Sequence, residues 1–173
     1  MSEKYGIIKK SIEGGSFMQL QIKQRVFSWG DTYDVYDEYG VPRYFVKAEI
    51  FALGHHIHVY RKDTGEEVGS IHQRPLTFLP KFDIEIAGQM VGTVSKQLTL
   101  FRPVYEVDYQ NWSVQGDVLE WNYQVLQGSR EIMSIRKQWL SWGDTYVLNC
   151  RDSVHELPGL LIVLAIDAAN CED

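Results

Sequence analysis

The sequence predicts a mainly β protein: a closed antiparallel β-barrel of about twelve strands enclosing a central, hydrophobic C-terminal α-helix. Three observations predict it. Leu157-Pro158-Gly159-Leu160-Leu161-Ile162-Val163-Leu164-Ala165-Ile166-Asp167-Ala168-Ala169 is the one segment long and apolar enough to be a helix that is hydrophobic on every side. Almost everything before it alternates apolar and polar residues in short runs separated by glycine-bearing turns. One pattern also occurs twice, near the two ends of the domain. A helix apolar all round must be surrounded. About thirteen residues at about 1.5 Å each span roughly 20 Å, short of the roughly 20 apolar residues that cross a bilayer, so the strands are its expected wrapper.

Residues 1–17 show no strong period and end in Gly14-Gly15-Ser16, the composition of a flexible joint. They are read as a flexible N-terminal extension, either an added or upstream segment ahead of a start at Met18, or a native arm laid over the barrel by Tyr5, Ile7 and Ile8. Residues 18–173 are read as a single barrel domain. Within it, Ile22-Lys23-Gln24-Arg25-Val26-Phe27-Ser28-Trp29-Gly30-Asp31-Thr32-Tyr33 returns as Ile135-Arg136-Lys137-Gln138-Trp139-Leu140-Ser141-Trp142-Gly143-Asp144-Thr145-Tyr146, with Ser-Trp-Gly-Asp-Thr-Tyr identical in both copies. Each copy is an alternating strand, a turn in which glycine accepts positive φ and aspartate bonds nearby amides, and a second strand. Between the copies lie further hairpins. Residues 35–47 turn at Gly40, 58–72 at Asp63-Thr64-Gly65, 82–96 at Gly88 and 123–136 at Gly128. Residues two apart share a face, as with Phe82, Ile84 and Ile86 or Tyr105, Val107 and Tyr109. One face of each strand is therefore buried, and the other is wet.

The chain has 173 residues, enough for one domain that buries a core without disulfides or metals. A formal charge of −6 argues against nucleic acid as a partner and against broad adhesion to an anionic membrane, while leaving room for a local basic patch. Cys150 and Cys171 are the two cysteines, and no secretory leader pattern precedes them. Both thiols are expected reduced, and the cytoplasm, with peripheral membrane association left open, is the expected compartment.

The Ser-Trp-Gly-Asp-Thr-Tyr hairpin after Ile22-Lys23-Gln24, the repeated strand–turn–glycine–strand units and the closing Leu160-Leu161-Ile162-Val163-Leu164-Ala165-Ile166-Asp167-Ala168 helix resemble the LURP-one-related family, in its small bacterial type. That domain is related to the Tubby C-terminal domain and the phospholipid scramblases, and the resemblance covers about Met18 to Ala169. It implies a twelve-stranded Tubby-like barrel around a central helix. It also brings three associations: phosphoinositide binding in Tubby domains, calcium and lipid in the scramblases, and defence in the plant members. No lipid or calcium motif carries over position by position, so the link to lipid is one of fold.

Several side chains are candidates for chemistry. Arg61, Lys62, Arg74, Lys81 and Lys96 lie on or beside the middle hairpins and could form a cationic surface for a phosphorylated headgroup; the plainer reading is solvated outward positions. His56 and His58 share one face of a strand and His72 could approach from the return strand, a weak metal candidate because a carboxylate or fourth ligand would have to converge. No resident metal and no cofactor are expected. Asp31 and Asp144 are read as turn caps rather than an acid–base pair, and Cys150, with His155 nearby, as half-buried in the last strand rather than as a nucleophile. Asp167, near the end of the apolar helix, is expected at a hydrated barrel mouth. Leu160, Leu161, Ile162, Val163, Leu164 and Ile166 are expected to be the structural core of the barrel.

These readings favour a non-enzymatic binding or scaffold protein that recognises a phospholipid headgroup, phosphoinositides included, or a protein partner on the barrel exterior, because a helix-filled interior leaves little cavity for substrate. Two alternatives stay open: a scramblase-like membrane-associated protein whose helix leaves the barrel, and an enzyme of unknown type, for which no convergent acid, base and nucleophile is legible.

Overall fold

The computed structural model describes residues 18–23, 32–51, 54–100, 102–140 and 143–170. Twelve strands precede one helix: β1 (Met18–Lys23), β2 (Thr32–Asp37), β3 (Pro42–Phe51), β4 (Gly54–Arg61), β5 (Glu67–Gln73), β6 (Lys81–Ile86), β7 (Gln89–Gln97), β8 (Val104–Asp108), β9 (Trp112–Asp117), β10 (Asn122–Gln127), β11 (Arg130–Leu140), β12 (Gly143–Cys150) and α1 (Glu156–Asn170). All neighbours pair antiparallel, in the order β8-β7-β6-β5-β4-β3-β2-β1-β12-β11-β10-β9. The two repeated hairpins meet in that order, since β1 and β12 form a ladder from Met18↔Cys150 to Lys23↔Thr145.

The barrel is nearly closed rather than closed. β8 and β9 stand at the two ends of the order and share no ladder. They are nonetheless joined by residues 109–111, where Gln110 and Asn111 take positive φ and the Trp112 N–H donates to the Tyr109 carbonyl at 2.8 Å. That tight turn brings the sheet's free edges side by side without pairing them, leaving a seam.

Inward positions of the strands and every face of α1 make one core, in which Leu160, Leu161, Ile162, Val163, Leu164 and Ile166 are all buried. Each such aliphatic side chain contributes about 2 kcal/mol by leaving water. Two glycines admit the helix. A Cβ at Gly69 of β5 would lie 2.8 Å from Leu161 Cδ1, and one at Gly159 would lie 2.5 Å from Met133 Sδ on β11. The helix follows a short 3₁₀ turn, Ser153–His155, whose Val154 N–H is capped by Asp152. Pro158 is tolerated because first-turn amides have no intrahelical acceptor.

Because the sheet is a meander, its turns alternate between two rims. The proximal rim, where α1 begins, carries turns 38–41, 62–66, 87–88, 109–111 and 128–129; the distal rim, where α1 ends, carries 74–80, 98–103 and 118–121. The predicted Asp-capped turns include residues outside the described set, among them Asp31. In the second copy Gly143 and Asp144 belong to β12, paired with Leu140 and Trp139.

Candidate functional site

The meander divides the predicted basic patch. Arg61 and Lys62 sit at the proximal rim, while Arg74, Lys81 and Lys96 sit at the distal rim, at the other end of strands β5, β6 and β7. With strands rising about 3.3 Å per residue, the two groups are separated by roughly 20 Å and do not form one surface. The proximal pair is internally neutralised: Arg61 clasps Asp63 through two hydrogen bonds of 2.9 and 2.7 Å, and Lys62 Nζ lies 2.8 Å from Asp34 while also covering the Phe45 ring at 5.3 Å.

The proximal rim is also where α1 is locked. Glu156, buried in the first helical turn, accepts from Arg43 Nε at 2.5 Å and from Tyr44 OH at 2.6 Å. Burial and the Glu156 carboxylate push the Tyr44 phenol well above its usual range. Beside this contact a cleft of about 170 Å³ opens between Arg43, Tyr44, Arg61 and Asp63. Its cations already have acidic partners, so it presents little unmet charge.

The distal rim differs in kind. Loop 74–80 holds Leu76 and Phe78, 102% and 91% exposed, between Pro75 and Pro80, and loop 98–103 holds Leu98 and Leu100, 78% and 92% exposed. Leu76 adopts φ 59°, a costly conformation for a leucine, which leaves its side chain standing in solvent. The loops are tied together at their base, where the Lys96 N–H donates to the Pro80 carbonyl at 3.0 Å and the Arg74 N–H to the Lys81 carbonyl at 2.8 Å. Around them stand Arg74, paired with Asp83 at 2.7 Å, Lys96, whose Nζ reaches the Ala169 carbonyl at 3.4 Å, and Lys81, which forms no ion pair among the described residues. A lysine at the last carbonyls of α1 complements the negative end of the helix dipole. The sequence reading passed over Leu76, Phe78, Leu98 and Leu100. The signal was Leu-Thr-Phe-Leu between two prolines, an apolar run in a segment that proline keeps from pairing as a strand.

The three histidines do come together on the outer face of β4 and β5. His56 pairs with His72 across the ladder, and the ring centroids lie 4.5 Å (His56–His72), 5.9 Å (His58–His72) and 6.5 Å (His56–His58) apart. Among the described residues, no three His, Cys, Asp or Glu side chains are placed, as they stand, to hold a metal ion.

Inside the distal end, Asp167 is buried at 8% exposure, contrary to the hydrated position expected for it. The helix carries it too far into the strands, and burial alone pushes its carboxyl up to about 7. Tyr123 lies in the same region with its hydroxyl unpartnered among the described residues, its phenol raised by burial and by Asp167. Cys150 is fully rather than half buried, and burial with the nearby Glu156 drives its thiol up to about 12, the reverse of an activated nucleophile. His155 packs edge-on against Trp112 at 5.4 Å.

In comparison with known proteins, residues 18–167 match the LURP-one-related family. The chain belongs to that family. A LURP-one-related relative, the uncharacterized protein YxjI of Bacillus subtilis (strain 168), is 32% identical over 158 residues, 90% of this chain and 97% of the relative. The X-ray structure of an Arabidopsis thaliana protein shares the fold at a TM-score of 0.57 and 13% identity, covering 89% of this chain and 91% of that one. None of these names carries an activity. No described helix of this LURP-one-related chain is long and apolar enough to cross a membrane.

Proposed function

We propose that the protein is a non-enzymatic binding module that docks its distal rim on an anionic phospholipid surface. The observation that carries the reading is the placement of Leu76, Phe78, Leu98 and Leu100 at the tips of two loops on one rim, nearly free of protein contact, above Arg74, Lys81 and Lys96. Transfer of each such side chain out of water is worth about 2 kcal/mol, and cations behind the apolar tips would lie at headgroup level when the tips are immersed. A chain of net charge −6 is otherwise repelled by such a surface, so binding depends on this rim and weakens with salt. The scramblase-like alternative draws no support from α1, in which every residue but Leu157 and Asn170 is buried.

Cosedimentation with phosphatidylcholine vesicles, with and without phosphatidylserine or a phosphoinositide, tests this. Binding to the anionic vesicles is expected for the native chain, and loss for Leu76→Ser/Phe78→Ser and for Lys81→Glu. Lys62→Glu at the proximal rim should bind as the native chain does. Absence of vesicle binding, or binding indifferent to the distal substitutions, overturns the reading and shifts weight to a protein partner.

A further inference from the structure

The histidine cluster on β4 and β5 has a property that the sequence could not supply, a set of carboxylates already arranged around it. Glu67 Oε1 lies 3.0 Å from His58 Nδ1. His72 Nε2 lies 2.9 Å from Ser70 Oγ and 3.6 Å from Glu85 Oε2. Glu49 on β3 stands opposite His56 in the β3–β4 ladder. The strands fix the spacing: His56 and His58 are two apart and face the same way, and the register sets His72 beside His56 and Ser70 beside His58.

We propose that His56, His58 and His72 form a surface site for a late first-row divalent cation, Zn²⁺ or Cu²⁺. Two imidazoles that share a tetrahedral ion at about 2.0–2.1 Å have ring centres on the order of 5 Å apart. The observed separations of 4.5, 5.9 and 6.5 Å straddle that value, so side-chain rotation brings the three nitrogens together while the backbone ladder stays as it is. The occupied nitrogens determine the ligating ones. With His58 Nδ1 held by Glu67, Nε2 is left for the metal, and with His72 Nε2 held by Ser70, Nδ1 is left.

A carboxylate on the far nitrogen is the usual support of a metal-bound histidine, fixing its tautomer and raising its basicity. The fourth position falls to water or to one of the flanking glutamates. Three imidazoles do not suit Mg²⁺ or Ca²⁺, which take oxygen ligands and near-complete shells of them.

Titration calorimetry of the untagged full chain with zinc chloride, and nitrogen splitting in the electron paramagnetic resonance spectrum after addition of one equivalent of Cu²⁺, test the site. One ion per chain is expected, with no saturable heat from Mg²⁺. His56→Gln/His72→Gln should abolish binding while circular dichroism stays native. Glu67→Gln should weaken it about tenfold through the lost support of His58, and His55→Ala should leave it unchanged. Absence of saturable Zn²⁺ and Cu²⁺ binding, or binding that survives the double substitution, overturns the proposal. Vesicle binding is read separately, so failure of the metal site leaves the distal-rim reading standing.

Discussion

The helix α1 buries one acid near each of its ends, and the two are treated differently. Glu156 at the proximal end meets the Arg43 guanidinium and the Tyr44 hydroxyl, whereas Asp167 toward the distal end is buried in the neighbourhood of the Tyr123 phenol, and burial shifts its carboxyl up to about 7. The surfaces above them follow the same division. Proximal cations are matched to acids one by one, and proximal apolar side chains such as Val41, Met90 and Val154 are half to two-thirds exposed, with Tyr39 reaching 82%; the distal rim raises three leucines and a phenylalanine on longer loops. One end of the barrel is fastened by paired charges, and the other exposes apolar side chains at its loop tips.

The largest effect comes from removing what both ends hold. A chain ending before Glu156 loses the filling of the barrel and is expected to be insoluble. Recovery of soluble protein with native tryptophan fluorescence would mean that the strands close without the helix.

Asp167 tests the distal end next. Its folded form keeps a proton up to about pH 7, while the unfolded chain releases it near the ordinary carboxyl value of 3.8. Between those values the folded state binds more protons, so stability is greatest at the acid end and falls as pH rises toward 7, by at most about 1.4 kcal/mol per unit. Urea midpoints from pH 4 to pH 8 should show this decline in the native chain and a flatter profile in Asp167→Asn. A native profile that rises through that window would place the carboxylate in a charged, partnered state and remove the contrast with Glu156.

The matching proximal test is Glu156→Gln, which keeps the shape and removes the charge that Arg43 and Tyr44 meet. A loss of roughly 1–3 kcal/mol in urea unfolding is expected, and a neutral outcome would show that the proximal lock is dispensable. The smallest effects on stability belong to the rim surfaces. Leu98→Ser/Leu100→Ser should shift the unfolding midpoint little, since exposed leucines contribute little to folding, while reducing vesicle binding. A large loss of stability would recast those loops as structural.

Much of the architecture was legible because a period of two, glycine at positive φ and an all-apolar helix each leave a direct trace in the residues, as in Phe82-Asp83-Ile84-Glu85-Ile86 before Gly88. The placement of the basic residues was not, for a geometric reason. Lys62 and Arg74 are close along the chain, but β5 runs between them, so a patch assembled by sequence neighbourhood falls on opposite rims. Asp167 was misplaced because helix periodicity tells which faces are apolar but not how deep the last turn lies. The strand register sets the three histidines on one face, and Glu67 and Glu85 could be assigned to them only once the strand pairing was known.

The unpaired seam has a consequence for how the molecule could be divided. Because β8 and β9 begin and end the sheet order, severing the link at residues 109–111 breaks no strand ladder. It separates the chain into an eight-stranded piece and a four-stranded piece that carries the helix, facing each other through β1 and β12. Two polypeptides so defined would have to recombine along that single junction and around one shared rod, which makes the fold a natural candidate for a two-part assembly.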